Sequence, residues 1–144
     1  MTDENRDALV DIARLHAAVE GAGDAPATLA TLDDDPSYEL LPIGLIFRGR
    51  DAVQRCYEHF FANFHRRIKD VALHAEWISD EGVLHEYTLH IGNHDGSTTP
   101  HRLVVILKFG RAGKLAGERI YASDALFELM FGSLLSGAEQ MHRR

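Results

Sequence analysis

Residues 69–109 read KDVALHAEWISDEGVLHEYTLHIGNHDGSTTPHRLVVILKF, and the period of their apolar side chains decides the fold. From Lys69 onward apolar residues recur with period two, which predicts extended segments near 69–78, 83–91 and 101–109, and a fourth near 115–123. Asp80-Glu81-Gly82, His94-Asp95-Gly96 and Arg111-Ala112-Gly113 are the turn signals between them. Connections this short make consecutive strands antiparallel neighbours.

Upstream the period is that of a helix. Leu9, Ile12, Ala13, His16 and Val19 share one stripe, which Gly21 and Gly23 end. Residues 25–32 predict a short second helix beginning at Pro26, stopped by a turn at Asp33-Asp34-Asp35-Pro36, with a brief extended piece at 38–41. A third helix follows Phe47-Arg48-Gly49-Arg50-Asp51 and carries Val53, Cys56, Tyr57, Phe60 and Phe64 on one face. A final helical pattern spans 125–135. Helices followed by an antiparallel sheet predict an α+β domain, its helices packed on one face of a curved sheet.

The 144 residues, 45% hydrophobic and 26% charged, suit one packed domain over 1–144 with a core at about 5–135. A net charge of −7 argues against a nucleic-acid partner, since phosphate binding needs clustered Lys and Arg; the basic clusters are only Arg66-Arg67 and Arg143-Arg144. The longest aliphatic run, 103–107, is too short to cross a membrane. A polar, acidic start and a single cysteine, Cys56, predict a cytoplasmic chain without an intrachain disulfide or a cysteine-based zinc site.

Four histidines, His85, His90, His94 and His101, fall within 85–101. Strand parity sends His85 and His90 to opposite faces, so they cannot share one ion; His94 falls in a turn, and no H-E-x-x-H signature exists. No metal site is expected. Both faces of the sheet carry apolar residues, which predicts that helices cover one and a second subunit the other.

The order of elements, together with YELLPIGLIFRGRDAVQRCYEHFF at 38–61 and FGRAGKLAGERIYASD at 109–124, resembles the nuclear-transport-factor-2-like superfamily, especially its SnoaL-like branch. The resemblance implies a cystatin-like α+β barrel: a cone-shaped curved antiparallel sheet with the N-terminal helices over its concave face, enclosing a pocket. It also implies a homodimer through the convex sheet face and no cofactor. Set against ketosteroid isomerases of that superfamily, whose groups are a basic aspartate, a tyrosine and a protonated aspartate, the matching positions here hold Leu41, His16 and Val105. That chemistry is therefore not expected. Tyr57 stands where a supporting tyrosine is found, within reach of His16.

If the strand register transfers, the resemblance places Glu86, Thr88 and His90, then His101, Leu103 and Val105, then Glu118, Ile120, Ala122 and Asp124 on the concave face. His16, His90, His101, Glu118 and Asp124 are then the acid/base candidates. Leu41, Tyr57, Phe60, Glu86, Thr88, Leu103, Val105 and Ile120 are candidates for ligand contact. The expected ligand is a small apolar or amphipathic organic molecule, and the expected activity is cyclisation, isomerisation, dehydration or hydrolysis of it. A non-catalytic dimeric module that binds a ligand or partner protein is the alternative. Glu39 is a substitute for the lost base, and His59, His65, His74 and His142 belong to no constellation.

Overall fold

A computed structural model of the chain describes residues 1–141; His142 and the Arg143-Arg144 cluster lie outside them. The first helix, α1 (Asp3–Gly21), starts earlier than the apolar stripe suggests. Thr2 caps it, its hydroxyl accepting from the Asn5 amide, and Asp3 and Glu4 sit in the positive first turn. Leu9, Val10, Ala13 and His16 are its buried face. Asp24 caps α2 (Ala25–Ala30) in the same way.

The next segment departs from the sequence expectation. The strand β1 (Leu32–Leu41) runs straight through Asp33-Asp34-Asp35-Pro36, which composition marks as a turn. These four residues fall in a register shift between Leu32 and Ser37, so they need not join the regular ladder. The Asp33 carboxylate accepts from the Asp35 and Arg111 amides, and Arg50 donates to the carbonyls of Leu29, Leu32 and Asp33. A strand unforeseen from sequence, β2 (Leu45–Arg48), then pairs back on β1.

Gly49, at φ +91°, opens α3 (Arg50–His59). A π-helical turn at Phe60–Phe64 extends it and turns both Phe60 and Phe64 inward. The period-two region forms β3 (Ile68–Ile78), β4 (Gly82–Gly92), β5 (Thr98–Phe109) and β6 (Leu115–Tyr121), joined by the three expected turns. The closing helix, α4 (Asp124–Phe131), stops at Gly132, short of the expected 135; a 3-10 stretch and the two-residue strand β7 (Glu139–Gln140) follow.

The seven strands form one sheet in the order β3-β4-β5-β6-β1-β2-β7. It is mixed, not antiparallel as expected: β1 pairs in parallel with β6, and the other neighbours are antiparallel. The helices pack on the concave face over a core that includes Tyr38, Leu40, Tyr57, Phe64, Phe127 and Phe131. Among the described residues no helix is long and apolar enough to cross a membrane.

Cys56 is buried in this core, and burial pushes its thiol pKa up to about 12. Since the thiolate is the reactive form, the native protein is expected to resist alkylation at pH 8 and to react fully once denatured, as read by intact-mass spectrometry. Rapid labelling of the folded chain would show that α3 does not pack as described.

Candidate active site

Residues directly opposed in an antiparallel pair point to the same face, so the pairing register sorts the candidates. Tyr87 opposes Leu103, His85 opposes Val105, Val105 opposes Ile120 and Leu107 opposes Glu118. These residues line the concave side together. The expected faces of β5 and β6 agree with this, whereas that of β4 is inverted. Glu86, Thr88 and His90 oppose Val104, Arg102 and Pro100 on the convex side. There Glu86 pairs with Arg102, and Thr88 bonds to His74. The signal was present in the strand itself: Val83, Leu89 and Ile91 make the odd-numbered face the more apolar one, and His85 and Tyr87 belong to it.

A cavity of about 310 Å³ lies between this face, the C-terminal half of α1 and the π-turn. Leu89, Leu103, Val105, Leu107 and Ile120 give it apolar walls, with Phe60 from the π-turn. Leu41 alternates with Tyr38 and Leu40, lies opposite Tyr121 on the convex side, and does not border the cavity. His101 keeps the inward parity, opposite Leu89, but lies beyond the cavity wall. Asp124 is exposed in the first turn of α4; the cap of that helix is Ser123, whose hydroxyl accepts from the Leu126 amide. Glu39 is bound on the outer face by Lys108 and Arg119.

Two of the five acid/base candidates, His16 and Glu118, meet at one corner of the cavity. Both are almost wholly buried, at 0% and 3% exposed. Tyr57, behind the wall, joins them: its hydroxyl donates to Glu118 Oε2 at 2.6 Å and lies 3.2 Å from His16 Nε2. Glu20, one helical turn after His16, brings Oε2 to 3.2 Å from the same nitrogen. Glu20 was missed from sequence, although a His-x-x-x-Glu spacing puts both side chains on one helix face.

The protons can be assigned from the far side of the ring. Thr31 donates its hydroxyl to the Thr28 carbonyl at 2.6 Å, so at 2.7 Å from His16 it accepts, and Nδ1 carries a hydrogen. Tyr57 has one proton, directed at Glu118. Nε2 therefore faces three oxygens as the donor of an imidazolium, or its proton has moved: Glu118 protonated donates to Tyr57, and Tyr57 donates to Nε2. The two arrangements hold the same number of protons and differ by a concerted shift through the phenol.

The electrostatics agree. Burial opposes a charge on His16, yet hydrogen bonding and attraction from Glu118 and Glu20 outweigh it and push the pKa up to about 10. Burial, reinforced by Glu20, pushes Glu118 up to about 7, against the pull of His16. Burial also keeps Tyr57 protonated.

A second chain of groups reaches the cavity through Tyr87. Arg14 grips Glu76 at 2.7 Å and, with His85, holds its carboxyl down to about 2. His85 Nε2 donates to Glu76 at 2.9 Å, leaving Nδ1 to accept from the Tyr87 hydroxyl at 3.0 Å. His85, expected on the outer face, is thus an inner residue at 3% exposure. His65 also borders the cavity, its Nε2 on the Gly21 carbonyl, and His94 is exposed in its turn.

Residues 12–118 match the family model described as a SnoaL-like domain. The chain belongs to the SnoaL-like family. Solved structures place this SnoaL-like chain in the nuclear-transport-factor-2-like fold, at identities that speak for architecture alone. One is Rv0760c from Mycobacterium tuberculosis in complex with estradiol-17beta-hemisuccinate: 21% identity, 82% of this chain and 95% of that one covered, TM-score 0.64. An NTF2-like protein of unknown function from Burkholderia xenovorans LB400 is 23% identical, with 82% and 84% covered and a TM-score of 0.63. A de novo designed protein with a curved β-sheet reaches a TM-score of 0.68 at 13% identity, covering 94% and 98%. No curated protein sequence matches the SnoaL-like chain.

Proposed function

We propose that the protein binds a small, largely apolar, oxygen-bearing molecule in the concave cavity and moves a proton on it, as in an isomerisation, cyclisation, dehydration or hydrolysis. The observation that carries this reading is the buried His16–Tyr57–Glu118 chain at one end of a largely apolar chamber. Paired acid and base groups sheltered from water are what proton transfer from a weakly acidic substrate requires. Glu118 Oε1 makes no protein hydrogen bond among the described residues and is the atom positioned to accept a substrate proton. Tyr57 stabilises the carboxylate through Oε2, and His16 balances its charge. Tyr87 offers a second hydroxyl on the sheet wall, oriented by His85 and Glu76. That a relative of the same fold holds estradiol-17beta-hemisuccinate supports a ligand of this general kind. His90, His101 and Asp124 have no place in this mechanism, because none borders the cavity.

The test uses oxygenated apolar compounds found by ligand-observed NMR. A bound compound incubated in D₂O is expected to incorporate deuterium at an acidic carbon, with Glu118→Gln slowing the exchange about 10²–10⁴-fold while binding persists. Val105→Trp, which fills the chamber, is expected to abolish binding. Ligands that bind without any exchange would leave a non-catalytic binding module.

We also propose that two chains pair through the convex sheet face. Trp77, 68% exposed, opposes Leu84 there, Leu84 opposes Ile106, and Val104 opposes Tyr121, itself 43% exposed. A patch of this kind on an otherwise acidic surface suits a self-complementary interface. Light scattering is expected to give twice the 16.1 kDa chain mass, reverting to the single mass in Ile106→Asp. A monomeric wild-type protein at micromolar concentration removes the proposal.

A further inference from the structure

We propose that His16, Glu20 and Glu118 bind one divalent first-row cation of the zinc type at the closed end of the cavity. The first observation is spacing. One ligand atom from each residue lies within 4.8 Å of the others. His16 Nε2 is 3.2 Å from Glu20 Oε2 and 3.5 Å from Glu118 Oε2. Atoms so separated and each about 2.1 Å from a shared ion subtend about 100° and about 113° at it, on either side of the tetrahedral angle.

Three oxygens stand around His16 Nε2 at 3.2–3.5 Å, two of them from carboxylates, so His16, Glu20 and Glu118 direct donor atoms toward one another.

The second observation is the outer support of the ring. The Thr31–Thr28 chain fixes the hydrogen on Nδ1, so the ring's coordinating atom is Nε2, on the side of the carboxylates. A hydrogen-bonded second nitrogen is what orients a metal-ligating histidine. A divalent ion that displaces the proton on Nε2 would be offset in charge by the two carboxylates. One nitrogen and two oxygen donors suit zinc, manganese or ferrous iron and disfavour soft cuprous copper.

All three residues border the cavity, so a fourth coordination position opens on it, where a water or a substrate oxygen can bind. In this the inference rests on the function proposed above for its relevance to catalysis, although cation binding is read independently of any substrate. The helical spacing of His16 and Glu20 brings two of the ligands together, and Glu118, from β6, has no spacing along the chain that announces it.

The experiment strips the full chain with EDTA and titrates it with ZnCl₂ by calorimetry and with CoCl₂ by visible absorption. The expected result is one equivalent of either ion, with the d–d bands of a four-coordinate cobalt centre. Glu20→Gln, at the partly exposed end of α1 and therefore tolerant of change, is expected to weaken zinc at least about tenfold, and Thr31→Val about tenfold through loss of the ring's support. Glu118→Gln is expected to abolish the cobalt bands. Absence of zinc and cobalt uptake by the wild-type chain, or uptake unaltered in Glu20→Gln and Glu118→Gln, overturns the inference. Either result leaves deuterium exchange on a bound ligand to be judged separately.

Discussion

Gly117→Ala is expected to lower stability by about 4 kcal/mol and the melting temperature by about 10 °C. Gly117 has φ +119°, where an L side chain is strained by itself. A Cβ built there would lie 1.9 Å from the Ser37 carbonyl oxygen and 2.8 Å from the Ser37 nitrogen. Both obstacles are backbone, so no rotamer change relieves them. The collision falls on the parallel contact between β1 and β6, one residue before Glu118. The variant should therefore also lose whatever the cavity corner binds. Thermal unfolding followed by circular dichroism decides the matter, and a midpoint within about 2 °C of wild type would show that this junction is looser than described.

The second large effect is expected at His16. His16→Ala should cost about 3–5 kcal/mol near neutral pH, because it leaves Glu118 buried without its partner, to be held as an unpaired charge or neutralised by uptake of a proton. Replacing both by leucine is expected to recover at least half of that loss, since a packed apolar pair removes the unpaired charge instead of exposing it. Urea denaturation of His16→Ala and of the double variant His16→Leu with Glu118→Leu measures this directly. A single-variant loss below about 1 kcal/mol would mean that the corner is already solvated.

How much of this was legible from sequence depended on the range of the interaction concerned. Short turns and period-two alternation are local, and they located β3 to β6 and the α+β order. Asp33-Asp34-Asp35-Pro36 has the composition of a turn but lies in a strand because Arg50 and the Arg111 amide, distant in sequence, bind it. The parallel pairing of β1 with β6 has no local signature, so an antiparallel sheet was the natural expectation. On β4 the register implied by the resemblance turns Glu86, Thr88 and His90 inward, whereas the strand's own apolar bias, and its pairing with β5, put His85 and Tyr87 there. His16 and Glu118 were legible through the resemblance, which sets His16 at the isomerase tyrosine's position and Glu118 on the concave face. Glu20 was missed because helix polarity next to Gly21 looks like ordinary solvation.

The β1–β6 junction also sets a timetable for assembly. Residues 37–41 await partners 80 positions later in the chain, a closure that is slow on entropic grounds. A nascent polypeptide emerging from the ribosome would form its first three helices and the β3–β4–β5 meander early. Its seam could close only after residue 121 had cleared the exit tunnel, so shortening the chain before that point should yield an aggregation-prone fragment, not a smaller stable protein.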